Sequence, residues 1–297
     1  MKRRNLLKLC ATAGLSFASP VGQRYLADAE ENTPESAPYE GPYYIVLNAS
    51  GGWDTTYMMD PKGVNEINRL YQQGDILTQG NIRFAPNAKQ IAAGLSNEDF
   101  FRKYTNELLV FNGLDYSVNN HSPCSRYMAT GKLDSLEYPT FAALIAACNG
   151  SETPLAFLTF GQYSATGNLV PLSRVPYLSS LKRLANADGV DGSPHTFYSD
   201  DFVRNRIETA LMTQRAAHVP EPRLPRLKRA QSMLYAAQLN SKALNRITPY
   251  IPESQGKGRL PSQVDIALAS FKAGVCVSAN LSIGQFDSHA NNDADQM

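Results

Sequence analysis

Four short apolar runs along the chain have the length and the residue types of buried β-strands. They are rich in β-branched and aromatic side chains, and each is followed by a loop that contains glycine or asparagine. The runs are continuous rather than alternating, which is typical of strands that are covered on both faces. The predicted strands are "YYIVLN" at residues 43–48, Glu107–Leu114, Pro154–Phe160 and Gly274–Ile283.

Between these runs the apolar positions follow the period of an amphipathic helix. Strands that alternate with such helices predict a parallel sheet with helices on both faces, which is an α/β fold. In such sheets, ligands bind beyond the carboxyl ends of the strands. The predicted helices begin at Ser125, Tyr138, Asp200, Leu224 and Leu260.

The domain organisation follows from where these patterns start and weaken. Residues 30–40 are acidic, contain proline and lack periodicity, so they are predicted to be a linker. Residues 41–297 are predicted to form one α/β domain. The stretch around 161–260 is less regular and is interpreted as an insertion in that domain.

Residues 1–29 have the features of an export signal. Basic residues at the start, with Arg3 and Arg4 adjacent, precede an apolar stretch and the small residues Ala27 and Ala29 of an A-x-A cleavage site. The arginine pair resembles the twin-arginine type, so the export machinery of that pathway is an expected partner. The apolar stretch is shorter than the roughly 20 residues that span a bilayer. We therefore expect a periplasmic or secreted bacterial protein without a stable membrane anchor after cleavage.

Charge and cysteine content exclude several classes of function. Lys and Arg number 28 against 27 Asp and Glu, and the basic residues are scattered, which argues against nucleic acid as a partner. Of four cysteines, three follow the signal, which permits one disulfide but no disulfide framework. The cysteines also lack the close spacing of a thiolate zinc site.

The first candidate for chemistry is Asp54 in "NASGGWD", directly after the first predicted strand. An aspartate near the carboxyl end of a strand can bind a cation through a hard oxygen. The alternative is a glycine turn at Gly51 and Gly52, with Asp54 capping the next segment.

The second candidate is the block "NNHSPCSRYMATGK". Ser122 before Pro123 predicts a helix start, with the serine at the N-cap and the proline at the first helical position. That role is sufficient without chemistry, but a helix N-terminus also stabilises an alkoxide and a bound ester anion. Ser122 is therefore a candidate nucleophile, with Ser125 as the substitute. His121 and Arg126 are candidate partners of an oxyanion.

The third candidate is the pair Asp287 and His289, directly after the last predicted strand. The structural alternative is that the polar residues of "DSHANN" only form a turn. Because parallel strands end at one edge of a sheet, however, Asp54, Asp287 and His289 could together bind a divalent metal near Ser122. Mixed Asp and His ligation suits zinc or manganese better than calcium, and such a metal could activate the serine hydroxyl.

These motifs together resemble a known family. A twin-arginine signal is followed by a strand ending in "GGWD", a block of the form HSxxxxYxxTG and a late strand ending in D-x-H. This order resembles a large family of exported bacterial proteins catalogued as a domain of unknown function. By similarity, that family is placed in the alkaline phosphatase and sulfatase superfamily. The resemblance covers roughly Pro42 to the carboxyl end.

The resemblance implies a metal-dependent hydrolase of phosphate or sulfate esters. By this resemblance Asp54, Asp287 and His289 would bind metal, and Ser122 would lie in the helix of the nucleophile. Cys124 stands where a sulfatase motif has proline, which argues against a formylglycine sulfatase. Members of the family usually continue well beyond the D-x-H, so we expect this chain to be truncated at its C-terminus.

Two other classes of function stay open at this point. The chain could be a noncatalytic exported protein that keeps the fold to bind a surface polymer or another partner. It could also be an inactive fragment. If the chain is a hydrolase, as the resemblance implies, an anionic ester is the expected class of substrate.

Overall fold

The structure is a computed structural model that describes residues 37–295 except 88, 90, 91, 116, 135, 162, 194, 195 and 218–240. The predicted signal peptide, most of the linker and most of the helix predicted from Leu224 lie outside the described residues. The strands are β1 Tyr44–Ala49, β2 Leu77–Gln79, β3 Ile82–Phe84, β4 Phe157–Thr159, β5 Leu172–Ser173 and β6 Ser278–Ile283.

The α-helices of the described residues occupy the stretches between the strands and the end of the chain. They are α1 Asn97–Tyr104, α2 His121–Thr130, α3 Phe141–Gly150, α4 Leu178–Ala185, α5 Asp201–Ala217, α6 Arg259–Lys272 and α7 Asn292–Asp295. Shorter turns of 3₁₀-helix lie at Thr55–Tyr57, Gln73–Asp75 and Thr105–Glu107, and a longer one at Ser241–Tyr250.

The chain divides into two compact units. The first contains the described parts of Met1–Asn48 and Met128–Ser282, and the second contains those of Ala49–Tyr127 and Ile283–Met297. The second unit thus begins where β1 ends and includes the segment that follows β6.

A four-stranded sheet in the order β1-β6-β4-β5 forms the centre of the first unit. β4 pairs in parallel with both neighbours, so that Phe157 lies opposite Ser278 on one side and Leu172 on the other. At the start of β1, the backbone N–H of Tyr44 donates to the carbonyl of Val277. The predicted α/β class with a mostly parallel sheet flanked by helices is confirmed.

Helices cover the sheet of the first unit on both faces. Successive side chains of a strand point to opposite faces, and the neighbours Phe157 and Leu158 are both fully buried. Phe157 packs in a cluster with alanines of α3, whereas Leu158 packs in a larger cluster with Leu181 of α4 and Ile266 of α6. This two-sided burial explains why the strand is a continuous apolar run in the sequence.

The start of α6 is fixed to the end of β6 by a buried amide. The side chain of Gln263 donates to the carbonyl of Ser282 at 2.9 Å and accepts from the N–H of Ser282 at 2.8 Å. Gly161, which follows β4, also lies against Ser282, since a Cβ there would stand 2.4 Å from the Cβ of Ser282. These contacts bring the carboxyl ends of β4 and β6 and the first turns of α6 together.

The second unit has its own small core around the antiparallel pair of β2 and β3. Phe84 of β3 stacks on Phe101 of α1 with ring centroids 4.5 Å apart, and both side chains are buried. A capping box fixes the start of α1: the Ser96 hydroxyl accepts from the N–H of Asp99, and the Asp99 carboxylate accepts from the N–H of Ser96.

The predicted strand Glu107–Leu114 is wrong. Residues 108–114 are not in a strand, although Leu108 and Val110 pack against the core of the second unit. Leu109 and Phe111, which alternate with them, are 78% and 71% exposed. The segment has one buried side but no hydrogen-bonded neighbouring strand within the described residues, and apolar composition alone does not supply one.

Two further observations concern the cysteines and the helices. None of Cys124, Cys148 and Cys276 is in a disulfide within the described residues. In the part of the chain that the structure describes, no helix is long and apolar enough to cross a membrane.

Candidate functional site

All the site residues predicted from the sequence lie in the second unit. Asp54 is the N-cap of the 3₁₀-helix Thr55–Tyr57. Its Oδ1 accepts from the N–H and the hydroxyl of Thr56 at 2.9 and 2.6 Å, and its Oδ2 accepts from the Asn292 amide at 2.8 Å. The Oδ1 bonds give Asp54 the capping role predicted as the alternative, and the Oδ2 bond joins the loop after β1 to α7.

Gly51 lets the loop after β1 approach the loop after β6. Its φ is +109°, a conformation that favours glycine, and a Cβ there would stand 2.8 Å from the backbone nitrogen of Asp287. Any other residue at this position would push Asp287 away. The sequence predicts a steep glycine turn here, and the structure shows that the turn makes room for Asp287.

Helix α2 starts two residues before Pro123, the first helical position predicted. It begins at His121, and Oδ1 of Asn120 accepts from the N–H of Ser122 at 3.2 Å, while the Asn120 carbonyl accepts from the N–H of Cys124. The predicted placement of Ser122 at the N-cap and Pro123 at the first helical position is therefore wrong. Pro123 is tolerated because the first turn leaves backbone N–H groups without helical partners in any case.

Asp287 lies between two histidines. Its Oδ2 is 3.4 Å from Nε2 of His121, and its Oδ1 is 3.4 Å from Nδ1 of His289. The side chains of His121, Asp287 and His289 are 61%, 49% and 82% exposed, so their ion pairs contribute little to stability. The arrangement leaves a carboxylate and two imidazoles accessible to a ligand.

The first turn of α2 combines this group with a hydroxyl. Ser122 follows His121 directly and is exposed, whereas Ser125 is half-buried. Arg126 is also half-buried, and it lies four residues after Ser122 and therefore on the same face of the helix. The first turn contains no acidic residue, so its positive helix end is not offset within α2. Of the two serines, Ser122 is the more accessible nucleophile.

The predicted metal site remains a prediction. Carboxylate and imidazole groups are ligands that zinc takes, and the predicted ligands Asp54, Asp287 and His289 offer both kinds. Among the described residues, however, no group of three or more His, Cys, Asp or Glu side chains is placed so that it could hold a metal ion.

Sequence analysis did not identify several residues that shape the site. Asn292 binds Asp54, and Asn120 caps α2. The hydroxyl of Tyr57 donates to Oδ1 of Asp293 at 2.6 Å. Burial and this bond to a carboxylate raise the pKa of Tyr57 well above its usual range. The asparagine before "HSP" was the available signal for the cap, because asparagine is among the preferred N-cap residues.

Comparison with protein-family models, with curated proteins and with solved structures gave no match to this chain. The family resemblance thus rests on the motifs alone. What the site can do follows from its own geometry.

Proposed function

We propose that this chain hydrolyses phosphate or sulfate esters at the start of α2. The observation that carries the proposal is the approach of Asp287 to His121, the residue before Ser122, at 3.4 Å. This contact links Asp287, which follows β6, to helix α2, which contains the candidate nucleophile Ser122. A serine, an imidazole and a carboxylate are the residue types that act together in nucleophilic catalysis.

In the proposed reaction, Oγ of Ser122 attacks the phosphorus or sulfur of the ester. A bond from Oγ to that atom forms, the bond to the leaving alcohol breaks, and the serine proton passes to an imidazole. The resulting imidazolium returns the proton to the leaving alkoxide. Water then attacks the serine ester while the same imidazole takes up the proton of the water. The bond from Oγ breaks, phosphate or sulfate is released, and the imidazolium returns the proton to Oγ of Ser122.

The positive groups of α2 stabilise the anion in this scheme. The helix end at His121 and Ser122 carries partial positive charge, which attracts a phosphate or sulfate group. Arg126 adds a guanidinium on the same face as Ser122. Asp287 contacts both His121 and His289, so it positions either imidazole for proton transfer.

The proposal includes the family expectations but does not depend on a metal ion. An alkaline phosphatase and sulfatase type of fold and export from the cytoplasm belong to it. No step of the scheme above passes through zinc or manganese. The metal prediction is checked separately by measuring zinc and manganese in chain purified without chelator, with Asp54→Ala and His289→Ala alongside. Metal lost in both variants would establish a joint site.

The direct test is hydrolysis of p-nitrophenyl phosphate and p-nitrophenyl sulfate by the purified chain. We expect Ser122→Ala to lower kcat/KM for the accepted ester by about a thousandfold or more, because it removes the nucleophile. Ser125→Ala is the matched control, since it removes a hydroxyl from the same helix. Absence of hydrolysis in the folded wild-type chain, or an equal loss in both variants, would refute the proposal.

A further inference from the structure

The first unit contains a cavity separate from the residues of the proposed hydrolytic site. Its volume is about 710 Å³, within the range of roughly 300–1,000 Å³ that is usual for sites of small ligands. It lies where β4 and β5 end and where α6 begins. The lining residues are Thr159, Phe160, Gly161, Arg174, Pro176, Tyr177, Gln255, Gly258, Arg259, Ser262 and Gln263.

The charged side chains among the described lining residues are all positive. Arg174 and Arg259 line the cavity, and none of the described lining residues is acidic. Within the described residues neither arginine forms a salt bridge, in contrast to Arg102 and Arg204, which pair with carboxylates on their own helices. The cavity therefore contains two guanidinium groups whose charge is not offset by a neighbouring carboxylate.

Arg174 is held in place with most of its donors available. One Nη donates to the buried hydroxyl of Ser164 at 3.0 Å. A guanidinium has five N–H donors, so this bond orients the group while other donors can still bind a ligand. Arg174 also follows β5 directly, which puts it at the carboxyl end of a parallel strand, where ligands of α/β sheets bind.

The opposite wall adds further groups suited to an anion. Arg259 is the first residue of α6, a helix of 14 residues whose N-cap Gly258 provides no side-chain hydrogen bond. The positive end of α6 therefore faces the same cavity as the two arginines. The Ser262 hydroxyl accepts from the Gln255 amide, and the Gln263 amide donates to the carbonyl of Ser282. Hydrogen bonds therefore hold these polar side chains of the cavity lining in place.

Apolar side chains complete the lining. Phe160, Pro176 and Tyr177 line the cavity, and the ring of Tyr177 is 62% exposed. An exposed aromatic ring beside two guanidinium groups suits a ligand with both a flat ring and an anionic group.

We propose that this cavity binds a small ring-bearing molecule with a phosphate or sulfate group. The three terminal oxygens of such a group can accept from both guanidinium groups at once, whereas a carboxylate offers only two oxygens. The ring of the ligand packs against Tyr177 and Phe160. This site is independent of the proposed hydrolysis at Ser122.

The test uses phenylphosphonate, which has the ring and the anion but no ester bond to hydrolyse, in isothermal titration calorimetry with the purified chain. We expect Arg174→Gln and Arg259→Gln each to weaken binding by about tenfold or more, as expected for loss of charged hydrogen bonds. Lys257→Gln is the matched control, because it removes the same charge from the adjoining loop without lining the cavity. Benzyl alcohol, the neutral analogue, should not bind.

Three results would overturn this proposal. The first is the absence of phenylphosphonate binding to the folded wild-type chain. The second is a loss in Lys257→Gln as large as in the arginine variants. The third is binding that persists unchanged in both arginine variants, which would place the anion elsewhere, for example at α2. Circular dichroism of each variant verifies folding, which the exposure of Arg174 and Arg259 favours.

Discussion

Nε2 of His121 lies 3.4 Å from Oδ2 of Asp287. The two residues come from distant parts of the sequence, one from the first turn of α2 and the other from the loop after β6. Gly51 makes their approach possible, since it leaves room for the backbone of Asp287. Because both side chains are substantially exposed, this contact contributes little to stability.

The variant Asp287→Asn tests whether the carboxylate acts in proton transfer. The amide keeps the shape of the side chain but cannot balance the charge of an imidazolium. We expect kcat/KM for p-nitrophenyl phosphate or sulfate to fall by about 10²- to 10⁴-fold with the melting temperature unchanged. Asp115→Asn, which removes a charge from the same unit, is the control. Wild-type activity in Asp287→Asn would remove Asp287 from the mechanism.

Asn292→Ala should destabilise the second unit. The Asn292 amide donates to Oδ2 of Asp54 at 2.8 Å, and this half-buried bond to a carboxylate holds α7 to the loop after β1. We expect a loss of about 1–3 kcal/mol in the free energy of unfolding, measured by urea denaturation. Asn291→Ala, at an exposed neighbouring position, should have little effect. Equal stability of both variants would show that the bond does not form in solution.

The capping box of α1 predicts a dependence of stability on pH. Bonds from the Ser96 hydroxyl and the backbone N–H groups of Ser96 and Gly94 lower the pKa of Asp99 below its ordinary value of 3.8. Folding therefore favours the carboxylate, and this contribution is present above pH 3.8 and is lost as pH falls towards the lower folded value.

Ser96→Ala checks this capping arrangement. It should cost about 1 kcal/mol at neutral pH, as for other N-cap serines. Asp99→Asn should flatten the acid slope of stability, measured by urea denaturation between neutral and acidic pH. An acid slope that is the same in wild type and Asp99→Asn would contradict the assignment to Asp99.

Cys148 and Cys276 should differ in reactivity. Burial raises the pKa of the Cys276 thiol to about 12, so almost no thiolate forms at pH 8, whereas the Cys148 side chain is exposed. We expect iodoacetamide to modify Cys148 in the native chain and Cys276 only after denaturation, as measured by mass spectrometry of peptides. Native labelling of Cys276 at the rate of Cys148 would mean that the sheet opens readily.

Sequence patterns identified the two strands that are buried along their length. β4 and β6 fall within predicted runs, since a covered parallel strand must be continuously apolar. β1 also overlaps a predicted run, although Ile45 and Leu47 are exposed. The run Glu107–Leu114 has the same composition but not the same structure. Leu108 and Val110 bury one side of it, while a strand also needs a hydrogen-bonded neighbour, which local sequence does not reveal.

The candidate site could be predicted in part from the sequence. Asp287 and His289 stand out because polar residues directly follow an apolar run, and "HSP" indicates a helix start. The approach of His121 to Asp287 depends on tertiary packing of two loops, so no local pattern contains it. The cavity with Arg174 and Arg259 was missed for the same reason, since its residues meet only through pairing of β4 and β5 and the docking of α6.

The central claim is that Ser122 and Asp287 act together in one hydrolytic site. A double-mutant cycle tests it most directly, with kcat/KM for the accepted p-nitrophenyl ester measured in wild type, Ser122→Ala, Asp287→Asn and the double variant. Residues of one catalytic unit are strongly non-additive, so we predict that the double variant is no slower than Ser122→Ala alone. Effects that multiply in the double variant, or a folded wild-type chain without hydrolysis, would contradict the claim.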